Sequence, residues 1–353
     1  MEPFDVPSDD EAYAFLSRGL KHMLRRTDVD MRPGERARLY AWYWGYYGRA
    51  ALDLYQATGQ ARFVSLVQET AQRLLAERDD ATGRVDESRG EVAPSWGTRF
   101  GKVRSTEITT AGLIVLPMCQ CALLTGDASL ARPAFETLAF YVPEQRQLED
   151  GSLYFVHRTT ARVEALNHAN VYATALAYAS RLPGAPADFA PTALGVGRYF
   201  RRFARDDGAA ACWPYEPTPS SPPDLPGEAL WKASVSLELP VALHASGLED
   251  ASALLARIAN IIKLNPLARA GKIPRFIGSA RDIELSSKDE GTSMAGALGA
   301  WLLIDDLELH EIVLSLMAQH PAMFPCGWYG GSRCMILGQA RRRLLASRRA
   351  PQL

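Results

Sequence analysis

Apolar and polar residues alternate along this 353-residue chain in blocks that repeat. Five segments begin with a polar or aromatic cluster and continue into small apolar residues at helical spacing. The clusters span residues 40–44, 106–110, 167–171, 231–235 and 289–293. Their starts lie roughly sixty residues apart, a period that is typical of a repeated supersecondary unit. The pattern therefore predicts a helical repeat.

Each repeat is predicted to contain a second, amphipathic helix. Glycines such as Gly59 and Gly126 follow the first helices, and glycine just past a helix end readily takes the left-handed conformation that stops it. The second helices are predicted over residues 63–77, 130–141 and 253–264, with their charged residues on an outer, hydrated face. Together the two helices form an αα-hairpin.

Two further helices, over residues 9–26 and 332–346, bring the predicted total to about twelve. If these two helices pack together, six hairpins close into a ring that hides the apolar first helices. The predicted fold is an all-α (α/α)6 toroid, formed as a single domain by residues 1–353. Residues 1–8 are expected to be disordered and residues 347–353 to form a tail. An open helical solenoid is the alternative.

The composition narrows the range of partners. Hydrophobic residues make up 47% and charged residues 22% of the chain, and the net charge of −1 gives no basic surface for nucleic acid. The odd number of cysteines, five, suits reduced thiols. We see no signal-peptide pattern and no apolar run near the roughly 18 residues that span a membrane. We therefore expect a cytoplasmic protein without nucleic-acid or membrane partners, and the oligomeric state stays open.

The first helices of such a ring all start at the same end, so the five clusters are expected to converge on one cleft. The third cluster is the strongest candidate. Asn167 and Asn170 share one helix face, and His168 and Tyr172 share the adjacent one. An amide can bind a carboxylate, while histidine and tyrosine are common proton-transfer residues. The alternative is that Asn167 caps the helix and His168 is a satisfied interior residue.

Other clusters supply further candidates. Glu107 and Glu290 are candidate catalytic carboxylates, although both also suit the first turn of a helix. The candidates that would bind substrate are Trp44, Arg104, Asn170, Tyr172, Trp213, Trp231, Lys232, Asp289 and Trp328. The sequence has no Walker A loop, dinucleotide fingerprint, nucleophile elbow or zinc-binding HExxH helix, so we expect no cofactor and no metal.

Four stretches carry a resemblance to a known class of proteins. They are residues 108–114 with Pro117, Leu166-Asn167-His168, Trp213-Pro214-Tyr215 and residues 289–292. Over about residues 38–320, their order resembles the carbohydrate-active (α/α)6-toroid proteins, especially the polysaccharide lyases and the helical domain of glucuronyl C5-epimerases. The resemblance implies that Asn167 neutralises a uronate carboxylate, and that His168 or Tyr215 acts as base and acid.

Four functions stay open at this point. The first is a lyase or epimerase that abstracts a proton from an acidic sugar or similar small anion. The second is a glycoside hydrolase with Glu107 and either Asp289 or Glu290 as its carboxylate pair. The third is a terpenoid-like cyclase or tailoring enzyme for an apolar molecule, with Glu107 as its acid. The fourth is a non-catalytic helical scaffold. The expected partner is a small molecule or an oligosaccharide.

Overall fold

A computed structural model describes residues 8–29, 36–222, 225–278, 283–285 and 292–320. The α-helices are α1 (Asp9–Val29), α2 (Arg36–Leu39), α3 (Gly45–Thr58), α4 (Ala61–Ala76), α5 (Asp79–Thr82), α6 (Ile108–Thr125), α7 (Ala128–Tyr141), α8 (Leu166–Ala179), α9 (Phe189–Phe203), α10 (Leu230–Ser236), α11 (Glu238–Ala245), α12 (Ser252–Lys263), α13 (Pro266–Arg269) and α14 (Leu307–Gln319). A π-helical turn (Tyr40–Trp44) joins α2 to α3, and 3₁₀ helices span Val142–Glu144 and Thr292–Leu303.

Short antiparallel β-hairpins join the helix pairs. Their strands are β1 (Val85–Asp86), β2 (Glu91–Val92), β3 (Gly97–Phe100), β4 (Val103–Thr106), β5 (Arg146–Gln147), β6 (Leu153–Tyr154), β7 (Arg205–Asp207) and β8 (Ala210–Cys212). The pairs are β1 with β2, β3 with β4, β5 with β6, and β7 with β8. Each hairpin follows an outer helix and precedes an inner one, so the hairpins lie at the end of the molecule where the inner helices start.

Inner and outer helices alternate along the chain. The inner layer runs from α3 to α6 and α8, then to α10 with α11, and on to the 3₁₀ helix Thr292–Leu303, each packed against the next. The outer layer consists of α1, α4, α7, α9, α12 and α14, and the predicted second helices agree with α4, α7 and α12. The predicted helix over residues 332–346 lies outside the described residues.

Helix α6 forms the centre of the core. By length and composition it could cross a membrane, with a mean hydropathy of 1.7 over 18 residues, so the expectation that no segment approaches this limit was wrong. However, 78% of that segment is buried inside the fold, where α3, α4, α7 and α8 surround it. Burial on all sides explains its apolar composition, because a helix without a wet face needs no polar stripe.

A buried ion pair crosses the interior of the inner layer. Arg49 on α3 and Glu238 on α11 are almost completely buried, and Nη1 of the arginine lies 2.5 Å from Oε2 of the glutamate. These helices hold the first and fourth inner positions, and Arg49 lies in the second turn of α3. Buried charges of this kind require close pairing. The pair fills the interior below the end where the inner helices start.

Local signals end and begin the helices as the sequence predicted. Gly59 and Gly126 follow α3 and α6 in the left-handed conformation, with φ of 70° and 74°. Asp127 then caps α7, since its Oδ1 accepts a hydrogen bond of 2.9 Å from the backbone N–H of Ser129. Its other oxygen accepts from Gln68 on α4 at 2.9 Å. One carboxylate thus starts an outer helix and attaches it to its neighbour.

The Asp127→Ala variant is expected to lose about 1 kcal/mol of unfolding free energy, because a helix N-cap contributes about that much. Urea unfolding followed by circular dichroism measures the loss. The matched control is Asp188→Ala, since Asp188 holds the N-cap position of α9 without a side-chain capping hydrogen bond. Equal losses in the two variants would contradict the role of the Asp127 cap.

Candidate functional site

Three inner helices bring polar side chains to the same end of the molecule. Glu107 holds the N-cap position of α6, Asn167 and His168 lie in the first turn of α8, and Lys232 lies in the first turn of α10. The loops that precede α8 and α10 add His157 and Tyr215. Glu107 contacts His157, and a second series of contacts runs from Glu164 through His168 and Tyr215 to Lys232. Glu107, His157 and Glu164 line one small pocket.

Glu107 and His157 form the first contact. His157 Nε2 lies 2.6 Å from Glu107 Oε1, and both side chains are mostly buried. The glutamate makes no capping hydrogen bond with its own helix, so it is not a simple N-cap residue. The hydrogen bond from Glu107 raises the pKa of His157, while burial opposes the shift and the charge of Glu164 adds to it. His157 therefore keeps its proton to a higher pH than a free histidine.

Glu164 and His168 form the second contact. His168 Nδ1 lies 2.9 Å from Glu164 Oε2, and the pair spans the start of α8 at a spacing of i to i+4. The glutamate is buried, whereas 31% of the histidine side chain is exposed. His168 is thus satisfied by a hydrogen bond, as the interior alternative expects, but it is only partly buried. A carboxylate on Nδ1 favours the tautomer in which the other ring nitrogen, Nε2, carries a lone pair.

Tyr215 and Lys232 complete the chain of contacts. The Tyr215 ring stands perpendicular to His168, with 6.4 Å between the ring centroids. Lys232 Nζ lies 3.2 Å from the centroid of Tyr215 and 5.3 Å from that of Trp231, in the geometry of a cation–π contact. Burial raises the pKa of Tyr215 and lowers the pKa of Lys232. The charges of Glu228 and Glu216 oppose the lowering of the Lys232 pKa.

Buried amides line the start of α8 behind these side chains. Asn167 and Asn170 are almost completely buried, and within the described ranges the Oδ1 atoms of both have no hydrogen-bond partner. Asn170 donates from Nδ2 to the carbonyl oxygen of Ser236 on α10 at 2.8 Å. Ala165 holds the N-cap position of α8, which has no side-chain cap, so the alternative that Asn167 caps the helix is wrong.

Glu228 is a buried carboxyl between the Tyr215 loop and α10. Its Oε2 accepts hydrogen bonds from Trp213 Nε1 at 2.6 Å and from Ser236 Oγ at 2.8 Å. Burial raises its pKa to about 8, and the nearby charge of Lys232 opposes that shift only in part. A carboxyl with this pKa is neutral at pH 7.

Four predicted substrate-binding residues lie away from the cleft. Trp44, Tyr172 and Trp213 are fully buried, and each side chain donates a hydrogen bond inside the fold, to the carbonyl oxygens of Ile114 and Leu138 and to Glu228. Arg104 is also buried, and its two terminal nitrogens lie 2.7 and 2.6 Å from the Asp79 carboxylate. The structure thus contradicts a position at an open binding surface for these four side chains, because all of them are buried and hydrogen-bonded within the fold.

The other predicted residues lie either at the start of α10 or outside the described residues. Trp231 is half-buried beside Lys232, at the start of α10. Asp289, Glu290 and Trp328 lie outside the described residues. Residues 8–29, 36–222, 225–278, 283–285 and 292–320 contain no group of three or more histidine, cysteine or acidic side chains placed to hold a metal ion.

The predicted set lacks three residues that the structure places at the site. Glu164 and Glu228 each precede a predicted site residue, His168 or Lys232, by four positions. That spacing is the available signal, because it puts two side chains on one helical face. His157 has no comparable signal, since a hairpin loop carries it to Glu107, fifty positions away in the chain.

Comparisons with known proteins give matches among solved structures. No protein-family model and no curated protein sequence matches the chain. An inactive variant of an alpha-1,6-mannanase from Salegentibacter sp. HEL1_6, in complex with alpha-1,6-mannotriose, matches with a TM-score of 0.60 at 11% identity over 95% of this chain and 99% of that chain. An unsaturated glucuronyl hydrolase specific for heparin matches with a TM-score of 0.59 at 12% identity, over 97% and 98%.

A cellobiose 2-epimerase from Bacillus thermoamylovorans B4167 matches with a TM-score of 0.61 at 10% identity, over 94% of this chain and 98% of that chain. At such low identities, a likeness defines the fold and leaves the chemistry open. The predictions of an all-α toroid and of a resemblance to carbohydrate-active toroid proteins are confirmed. The chain has the (α/α)6-toroid fold that these carbohydrate-active enzymes share.

Proposed function

We propose that the protein is a carbohydrate-active enzyme that removes a proton from an acidic sugar, at the carbon next to its carboxylate. The observation that carries the proposal is the Glu164–His168 pair, with a buried carboxylate at 2.9 Å from Nδ1 and a partly exposed imidazole. Removal of a proton from carbon needs a positioned base, and histidine is the side chain most often used.

His168 is the proposed base. When Nδ1–H donates to Glu164, the lone pair of Nε2 is available for the sugar proton. The imidazolium that forms is then stabilised by the negative charge of Glu164, as in other carboxylate–histidine pairs. The ring is partly exposed, as the approach of a sugar to this nitrogen requires.

Two neighbouring groups keep a proton and can act as the acid. Burial raises the pKa of the Tyr215 hydroxyl, so the phenol stays neutral and can donate. His157 holds its proton because of Glu107. A base and an acid with different proton affinities in one site are the arrangement that proton exchange on carbon requires. Return of the proton to the opposite face would give epimerisation, and loss of a linked sugar would give elimination.

Lys232 is the proposed partner of the sugar carboxylate. Its ammonium lies on the Tyr215 ring close to His168, and negative charge grows on the carboxylate as the proton leaves the adjacent carbon. A fixed cation stabilises such a developing charge. The start of α8 adds the positive end of its helix dipole, which favours an anion.

The names of the similar structures support both parts of the proposal. One of those proteins is an unsaturated glucuronyl hydrolase, which acts on an acidic sugar, and another is an epimerase. Two of the similar proteins are hydrolases, so the comparisons fit the hydrolase alternative about as well. Of its carboxylate pair, Glu107 contacts His157, and Asp289 and Glu290 lie outside the described residues. Inverting hydrolases need one carboxyl as acid and another free to activate water.

The test is incubation of uronate-containing oligosaccharides with the protein in heavy water, followed by mass spectrometry. Deuterium at C5 of an unbroken sugar, or a cleaved product one water lighter than a hydrolysis product, is the expected result. A cleaved product that contains solvent oxygen would replace the proposal with a hydrolase. The absence of all these products would overturn the proposal.

A further inference from the structure

Glu228 is a carboxyl that the proposed proton transfers do not use. Its side chain is 1% exposed, and Oε2 accepts from both Trp213 and Ser236. Oε1 is buried and has no hydrogen-bond partner in the part of the chain that the structure describes. A buried ionisable group with an unsatisfied hydrogen-bonding atom lowers the stability of the fold. A purely structural role therefore explains Glu228 poorly.

The contacts of Glu228 join the two elements that carry Tyr215 and Lys232. Its backbone N–H donates to the carbonyl oxygen of Trp213 at 2.8 Å, two residues before Tyr215. Its Oε2 accepts from Ser236 on α10, the helix whose first turn holds Lys232. Glu228 thus connects the segment that leads to Tyr215 with the helix that carries Lys232.

The charge of Glu228 acts on Lys232. The two residues are four positions apart, and each changes the proton affinity of the other, since Lys232 lowers the pKa of Glu228 and Glu228 raises that of Lys232. The other titratable groups near them are Tyr215 and the exposed Glu216, on the loop after β8, and Glu164 before α8. Protonation of Glu228 removes the buried negative charge that acts on Lys232.

We propose that Glu228 is a positioning residue that controls the affinity of the site for acidic sugars through Lys232. Protonated Glu228 leaves the ammonium charge for the carboxylate of the sugar, and ionised Glu228 attracts that charge and repels the sugar. The inference rests on the proposed function for the identity of the ligand. The interaction between Glu228 and Lys232 does not depend on it.

The sign of the pH dependence follows from this arrangement. Because Glu228 has a pKa of about 8, it is neutral at pH 7 and ionised at pH 9. The KM for an acidic sugar is therefore expected to rise about tenfold from pH 7 to pH 9, because ionised Glu228 adds a buried negative charge that repels the sugar carboxylate. The corresponding neutral methyl ester would show no such rise. The kcat at saturation would change less than KM.

The decisive variant is Glu228→Gln. Its amide oxygen still accepts from Trp213 and Ser236, and the side chain cannot ionise. Equal KM values for variant and native protein at pH 6.5, with a flat KM of the variant up to pH 9, are expected. Lys232→Met is the matched control and is expected to raise KM at every pH. An alkaline rise of KM in Glu228→Gln equal to the native one would overturn the inference.

A second measurement needs no turnover. The chain has six lysines, so the ¹³Cε signals of labelled lysine can be assigned, with Lys232→Met identifying the signal of Lys232. We expect a step in that signal near the pKa of Glu228 in the native protein and no step in Glu228→Gln. A step present in both, or in neither, overturns the inference. If the step appears in the native protein and not in Glu228→Gln, but the protein acts on no acidic sugar, the proposed function is overturned. The inference that Glu228 acts on Lys232 then stands.

Discussion

Replacement of His168 with glutamine is expected to slow deuterium exchange into an acidic sugar by about 10²–10⁴-fold, the usual contribution of a general base. The glutamine amide can still donate to Glu164, but it has no nitrogen that accepts a proton at neutral pH. The rate of deuterium gain at saturating sugar, followed by mass spectrometry, measures the effect. Because the loss is in proton transfer, kcat is expected to fall while KM changes little.

The control for this variant is His244→Gln. His244 lies on α11, its side chain is 46% exposed, and its carboxylate contact is a long one of 3.7 Å to Asp250. The exchange rate of this control is expected to equal that of the native protein. A His168→Gln protein with the native thermal midpoint and the native exchange rate would remove His168 from the mechanism.

The helical repeat was predictable because its signals are local. The left-handed Gly126 and the capping Asp127 follow each other in the chain, and they determine the junction between α6 and α7 without any distant contact. The amphipathic pattern of α4 likewise indicates which face of the helix is exposed to solvent. The membrane-like composition of α6 was underestimated, since its burial depends on four neighbouring helices rather than on its own residues.

The candidate site was predictable only in part. His168 and Lys232 follow from the rule that inner helices start at one end, which needs no knowledge of side-chain directions, whereas Tyr215 was implied by the resemblance to toroid lyases. Trp213 could not be assigned in that way, because an aromatic residue packs equally well in a core and in a cleft. The pairing of Arg104 with Asp79, twenty-five positions earlier, depends on the hairpins between them.

The sequence pattern also does not predict which side chains pair with each other. His157 reaches Glu107 through a loop, and the pair decides which group keeps a proton. A sequence shows which residues can titrate, and their environments decide in which direction each pKa moves. Glu228 is the extreme case, since its neutral state at pH 7 results from burial alone.

Glu228 also makes the stability of the fold depend on pH. Its pKa is about 8 in the folded protein, above the ordinary value of 4.5. The folded state therefore binds this proton more tightly than the unfolded chain does. The resulting stability is complete below pH 4.5 and is lost as the pH rises toward about 8. Relative to Glu228→Gln, the native protein is expected to lose ~1.4 kcal/mol per pH unit, or ~4 kcal/mol between pH 5 and 8.

Urea unfolding of both proteins at half-unit steps from pH 5 to pH 9 measures this difference. The control is Glu216→Gln, because Glu216 is exposed, and its curve is expected to run parallel to the native one. A Glu228→Gln curve that also runs parallel to the native curve would mean that Glu228 ionises inside the fold as easily as in water. The carboxyl would then be charged at pH 7, and Lys232 would already be neutralised when an acidic sugar arrives.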